Sequence, residues 1–188
     1  MGTTGWIILG IIVLAVVYLI FLYNRLVALR QTVNQSWSDI SVQLKQRHDL
    51  VPNLVETVKG YATHEKSTFE AVVNARNAAV SAQGPQAQAA AENMLSGALR
   101  QLFALAEAYP DLKANQNFLQ LQSELADLEN KIAASRRFFN NAVQEYNTGI
   151  QQFPAVLIAR NMGFEAREFF ELDEAESVAV QAPPQVKF

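Results

Sequence analysis

Residues 6–23 read WIILGIIVLAVVYLIFLY, and residues 24–50 continue as NRLVALRQTVNQSWSDISVQLKQRHDL without a glycine or proline. The first stretch carries no charged side chain. As a helix rising about 1.5 Å per residue it covers roughly 27 Å, close to a hydrocarbon core of about 30 Å. Its Ile, Leu, Val and Phe side chains each favour insertion by roughly 0.3–0.6 kcal/mol at mid-membrane, and no ionic group opposes them. Trp6 at one end, with Tyr18 and Tyr23 towards the other, suits amphipathic rings at two water boundaries. The stretch therefore reads as a transmembrane helix, and Thr3, Thr4 and Gly5 can extend it through the interface.

A cleaved signal peptide needs a basic leader and a small-x-small cleavage site. MGTTG has no basic side chain, and YLIFLYNRL offers no such site. Arg25 and Arg30 follow the span closely, with Lys45 and Arg47 further on. The positive-inside rule then puts the N-terminus outside and the rest of the chain in the cytoplasm. With five residues ahead of the span, no sensor domain is expected on that side.

Beyond the span, Leu26, Leu29, Val33, Trp37, Ile40 and Leu44 recur at helical spacing, so the transmembrane helix is expected to run on to about Leu50. Pro52, Gly84-Pro85, Pro110 and Pro154 divide the remainder. Asp49 is a cap candidate for a second helix with Pro52 in its first turn. That helix would bury Leu54, Val58, Tyr61, Phe69, Val72 and Val80, ending near Gly84. It is expected to fold back beside the first, with a kinked continuation through Pro52 as the alternative. A third helix is expected over 85–108, presenting Leu95, Leu99, Leu102 and Leu105. After YPDLKAN, with Asn115 as N-cap, Phe118, Leu121, Leu125, Leu128, Ile132, Phe139, Val143, Tyr146 and Ile150 keep a 3-4 spacing typical of coiled coils over about 38 residues. No useful run alternates with period two.

The fold class is thus all-α: an N-terminal transmembrane helix continuous with the first helix of an antiparallel, four-helix-type bundle of long helices. The organisation expected is an anchor over 1–23, a bundle over 24–153, an apolar segment over 154–173 packed on the bundle or a neighbour, and a mobile tail over 174–188.

Composition excludes several activities. The net charge of −3, with no basic stripe, does not suit nucleic acid. There is no cysteine, so thiol catalysis and cysteine-ligated metal are ruled out by counting. A carboxylate-bridged dimetal site needs Glu-x-x-His on two helices. His48 and His64 are instead preceded at that spacing by Lys45 and Tyr61. His48-Asp49 and His64-Glu65 are adjacent pairs, which point about 100° apart on a helix and form no joint acid–base site. No glycine-rich loop or nucleophile elbow appears. No cofactor, metal site or catalytic residue is expected.

The polar group Arg47, Asp49, Asn53, Glu56 and Lys59 around the first bend reads as a capped, solvated turn or, with Arg47, Asn53 and Glu56, as a docking surface. Arg136 and Arg137 beside Phe138 and Phe139 could meet acidic lipid or protein. Phe164, Phe169 and Phe170, with Arg160 and Arg167, could touch a membrane surface. Docking on the bundle or a second copy is preferred, because Glu165, Glu168, Glu171 and Asp173 disfavour an anionic surface.

RLVALRQTVNQSWSDISVQLKQRHDLVPNLVETVKGYATHE, AYPDLKANQNFLQLQSELADLENKIAASRRFFNNAVQEYN and FPAVLIARNMGFEAREFF resemble, in that order, the LemA family of bacterial membrane proteins. The resemblance runs from about Tyr23 to Glu171. It implies a single N-terminal span, a long-helix bundle, a bacterial inner-membrane location and no established catalytic activity. The expected function is a non-enzymatic scaffold that self-associates as a homo-oligomer and organises membrane lipid or another membrane protein. A transmembrane signalling adaptor is the alternative, and an enzyme ranks last.

Overall fold

The computed structural model describes residues 2–171, so the mobile tail expected over 174–188 and the last residues of the apolar segment lie outside it. Five helices account for most of it: α1 (Thr3–Lys59), α2 (Lys66–Ser81), α3 (Pro85–Ala106), the single turn α4 (Pro110–Lys113) and α5 (Gln116–Gln151). Two 3-10 turns follow, Ala155–Leu157 and Arg160–Met162. Among the described residues there is no strand. The described chain divides into two compact units: residues 2–38 with Phe138–Arg167, and Asp39–Arg137 with residues 168–171.

In the first unit, α1 begins as a bare apolar rod. Only 6 % of its most apolar eighteen-residue window is buried, which separates it from the core helix of a soluble protein. From Leu22 onward one face is covered: Leu22, Leu26 and Val33 are buried, and Trp37 meets Phe139 of α5 with ring centroids 5.3 Å apart. Nearer the end of α5, Gly149 lies so close to α1 that a Cβ there would stand 2.7 Å from Leu29 Cδ1. Successive contacts along α5 thus fall on successively earlier residues of α1, and the two helices are antiparallel within this unit.

The second unit is built on four helical stretches: residues 39–59 of α1, α2, α3 and residues 116–137 of α5. Val51, Leu54, Val55 and Val58 of α1 meet Phe69 and Val72 of α2, Leu95, Leu99 and Leu102 of α3, and Phe118 and Leu125 of α5 in one core. Gly84, at φ 84°, makes the sharp turn between α2 and α3, and Pro85 opens α3 where its missing N–H costs nothing. Asn115 caps α5 as expected, its Oδ1 accepting from the Phe118 N–H at 3.0 Å.

The expected second helix starting at Asp49 is corrected. α1 passes straight through Pro52 and stops at Lys59, where Gly60 and Tyr61 turn the chain towards α2. Proline inside a helix removes one hydrogen bond and leaves the carbonyl four residues earlier without a donor. That carbonyl belongs to His48, and Arg76 Nε of α2 donates to it at 3.2 Å. The apolar seam also keeps its phase across the proline, so continuing the helix buries Val51, Leu54, Val55 and Val58 together. Asp49 does not cap; it pairs with Lys45 at 2.6 Å on the exposed face. Tyr61 and Val80, expected inside, are 40 % and 54 % exposed. Tyr61 belongs to the turn, and its hydroxyl accepts from Asn115 Nδ2 at 2.9 Å.

Candidate functional site

Two features stand out, one in each unit. In the second, Arg47 and His48 of α1 occupy core-facing positions in line with Leu44 and Val51, and both are buried. Glu92 of α3 lies opposite, equally buried. Its Oε2 accepts from Arg47 Nη1 at 3.0 Å, and its Oε1 meets His48 Nε2 at 2.6 Å and Gln88 Nε2 at 2.8 Å. Gln88 Nε2 also donates to the Ala79 carbonyl near the end of α2. Arg47 Nη2 turns the other way, to Ser96 Oγ at 2.7 Å and Glu129 Oε1 of α5 at 2.8 Å.

This network joins all four helical stretches of the unit. Such an assembly is strongly destabilised when one partner is removed, by about 3–5 kcal/mol, because a charge is left buried and uncompensated. Glu92 spends both oxygens on neighbours, which leaves little of it for general acid–base work. Arg47 Nε is buried without a hydrogen-bond partner, and the residue lines a cavity of about 380 Å3 together with Ser96, Leu99, Arg100, Phe103 and Glu129. Among the described residues, no three His, Asp or Glu side chains gather as a metal would require. On the exposed side of α1, Lys45 holds the Asp49 carboxyl below its ordinary range through their hydrogen bond.

In the first unit the feature is apolar surface. Trp6, Tyr18 and Tyr23 are exposed along with nearly every side chain between them, and Arg25 is exposed just past the run. Arg30 is half-buried because it lies over the Phe164 ring, 5.0 Å from its centroid, while Tyr23 meets the same ring edge-on at 5.6 Å. Asn147 fastens the strand of chain beyond, accepting from the Arg167 N–H at 2.8 Å and donating to its carbonyl at 2.9 Å.

The docking candidates therefore separate. Asn53 and Glu56 remain on the surface, Glu56 paired with Lys59 at 2.8 Å. Arg137 is exposed and Arg136 half-buried. Arg47 is corrected from surface to interior, since its position in the helical repeat is a core position and two carboxylates compensate it there. Phe164 and Phe170 are also interior, at 2 % and 1 % exposure, with Phe169 half-buried. Glu92, Gln88, Ser96 and Glu129 were missed. Their signal was available: Gln88, Glu92, Leu95 and Leu99 share one helical face, so a carboxylate sits on an apolar seam as Arg47 does on another.

An apolar N-terminal helix leading into packed helices defines a membrane-associated, all-helical protein. The chain belongs to the LemA family, whose sequence profile matches residues 36–188. It is 25% identical to Protein LemA of Metamycoplasma hominis, the match covering 93% of this chain and 81% of that protein. It is similarly close to magnetosome protein MamQ of Magnetospirillum gryphiswaldense, at 26% identity over 88% of this chain and 70% of that one. A MamQ of Paramagnetospirillum magneticum matches at 25% with the same coverage.

Proposed function

We propose that the chain is a single-pass, non-enzymatic membrane scaffold whose helical domain self-associates and organises the membrane or holds partner proteins there. One observation carries the reading: α1 is a single 57-residue helix whose first part is an exposed apolar rod and whose later part supplies core side chains to the helical packing. Anchor and domain thus share an element, as suits a protein that holds something at a membrane. The Arg47–Glu92–His48 network supports the non-enzymatic side, because its polar atoms are directed at one another. Arg25 and Arg30 support a cytoplasmic helical domain at the bacterial inner membrane.

The test is the size of the full-length protein after mild detergent extraction, by light scattering and electron microscopy. Discrete homo-oligomers of uniform geometry are expected, and a clean monomer would overturn self-association. The adaptor reading draws on the same continuous α1, through which rotation at the membrane reaches the domain. It requires that inserting one residue after Tyr23 alter output while preserving stability; indifference to that insertion favours the scaffold.

A further inference from the structure

Just beyond α5, Phe153, Val156, Leu157 and Met162 are 80, 49, 64 and 40 % exposed. They belong to QFPAVLIARNMG, residues 152–163, in which Arg160 is the one charged side chain and no acid occurs. Four large apolar side chains left exposed on so short a stretch call for a partner.

Its level along α1 follows from the first unit's own geometry. Phe139 lies against Trp37, and Gly149 against Leu26 and Leu29, so ten residues forward on α5 are about ten residues back on α1. α5 ends two residues beyond Gly149, at Gln151, so Phe153 follows it close to the level of Tyr23, where the uncharged run ends. Two more observations agree. Phe164, at the far end of the segment, packs on Tyr23 and beneath Arg30. Leu22 is buried, whereas Phe21 beside it is 65 % exposed.

We propose that residues 153–162 are a second membrane contact, an interfacial wedge. It seats Phe153, Val156, Leu157 and Met162 at the headgroup–acyl boundary where α1 leaves the bilayer. The inference rests on the reading of residues 6–23 as a span. The bilayer is the occupant because these exposed apolar side chains follow α5 near the level of Tyr23, where the exposed apolar run of α1 ends. Arg160, with Arg25 at the same boundary, suits phosphate headgroups. The acids begin only at Glu165, after the exposed apolar residues, and the buried Phe164 docks on α1 rather than on lipid. A lone helix can turn about its axis in a bilayer; a second contact beside it fixes that rotation.

The chain has no cysteine, so a single one can be placed and labelled anywhere. Full-length Leu157→Cys, Ile20→Cys and Asn34→Cys variants, each carrying an environment-sensitive fluorophore, are reconstituted into phosphatidylcholine–phosphatidylglycerol vesicles containing lipid brominated near the headgroup end of its acyl chains. All three positions are exposed, so labelling leaves the packing intact. Position 157 is expected to shift to the blue and lose emission to the bromolipid, as an insertion of about 5–10 Å requires. Position 34, about 16 Å further along α1 than Tyr23, should not. Quenching at 20 without quenching at 157 overturns the wedge and leaves the span standing. A blue shift at 157 without quenching assigns the patch to a second copy and also overturns the wedge. No quenching at either 20 or 157 overturns the span and the wedge together.

Discussion

At Pro52 the ring removes the N–H that would have reached the His48 carbonyl, and the Arg76 guanidinium donates there instead. Pro52→Ala restores the helical donor, so Arg76→Ala should cost about 1–2 kcal/mol in the native sequence and clearly less in the Pro52→Ala background. Chemical unfolding of the detergent-solubilised protein, followed by circular dichroism, measures both arms. Glu92 is the keystone of the buried network, and Glu92→Ala should destabilise by about 3–5 kcal/mol, because His48 loses its carboxylate partner, Gln88 one of its two acceptors and Arg47 one of its two carboxylates. The same unfolding curves test it; a cost below that of an ordinary surface substitution would show the network to be dispensable. Asp49 acts at low pH. Its folded carboxyl is held down by Lys45, so its stabilising contribution is present above the unfolded carboxylate value and fades as pH falls through the lowered folded value. Asp49→Asn should lower stability slightly through the neutral range, where that contribution is present, and should converge with the native protein below about pH 4, where the native protein loses it. In the sequence these polar residues showed as one cluster near a bend. Only the helical phase separates Arg47, which belongs with Leu44 and Val51, from Asp49, which faces water.

Long periodic elements were legible because 3-4 spacing persists where a helix buries one face. α5 was expected over about 38 residues from Asn115 and covers Gln116–Gln151; α3 opens at Pro85 as expected and ends at Ala106. The boundary between α1 and α2 was not, since a proline three residues after an aspartate carries the local signature of a helix start. What decides against it is tertiary: the carbonyl donor comes from α2, and no local pattern announces Arg76. Hydrogen exchange should expose this dependence, because loosening α2 removes that donor. Amides of residues 53–58 should exchange in the same opening as those of α2, and Arg76→Ala should speed both. Close approach of α1 and α5 in the first unit depends on Gly149, where an added Cβ would stand 2.7 Å from Leu29 Cδ1. Gly149→Leu should therefore cost about 1–3 kcal/mol by overpacking, read as a lowered unfolding midpoint.

For the whole molecule, the all-helical class, the apolar N-terminal helix and the family were readable from the sequence, since each is written over tens of residues. The candidate site was less so: the preference for docking suits the buried Phe164 and Phe170, but nothing in the sequence marked Phe153 and Leu157 as the side chains that stay out. In a stretch without regular periodicity, which ring turns inward depends on the wall it meets, here Tyr23 and Arg30 for Phe164. Topology has a direct test: a single cysteine at Val73, exposed on α2, should react with a membrane-impermeant maleimide only after cells are broken. Labelling of intact cells would reverse the proposed orientation. The pairing of Tyr23 with Phe164 also sets a timetable for biogenesis. Tyr23 leaves the ribosome about 140 residues ahead of its partner, an interval of roughly 7–28 s at bacterial or slower elongation rates. Throughout that interval the apolar N-terminal helix is already made, while Leu26, Val33 and Trp37 have no α5 to cover them. The nascent chain is then a natural client for chaperones that shield apolar helices, and truncation before Phe139 should leave a membrane-inserted product prone to degradation.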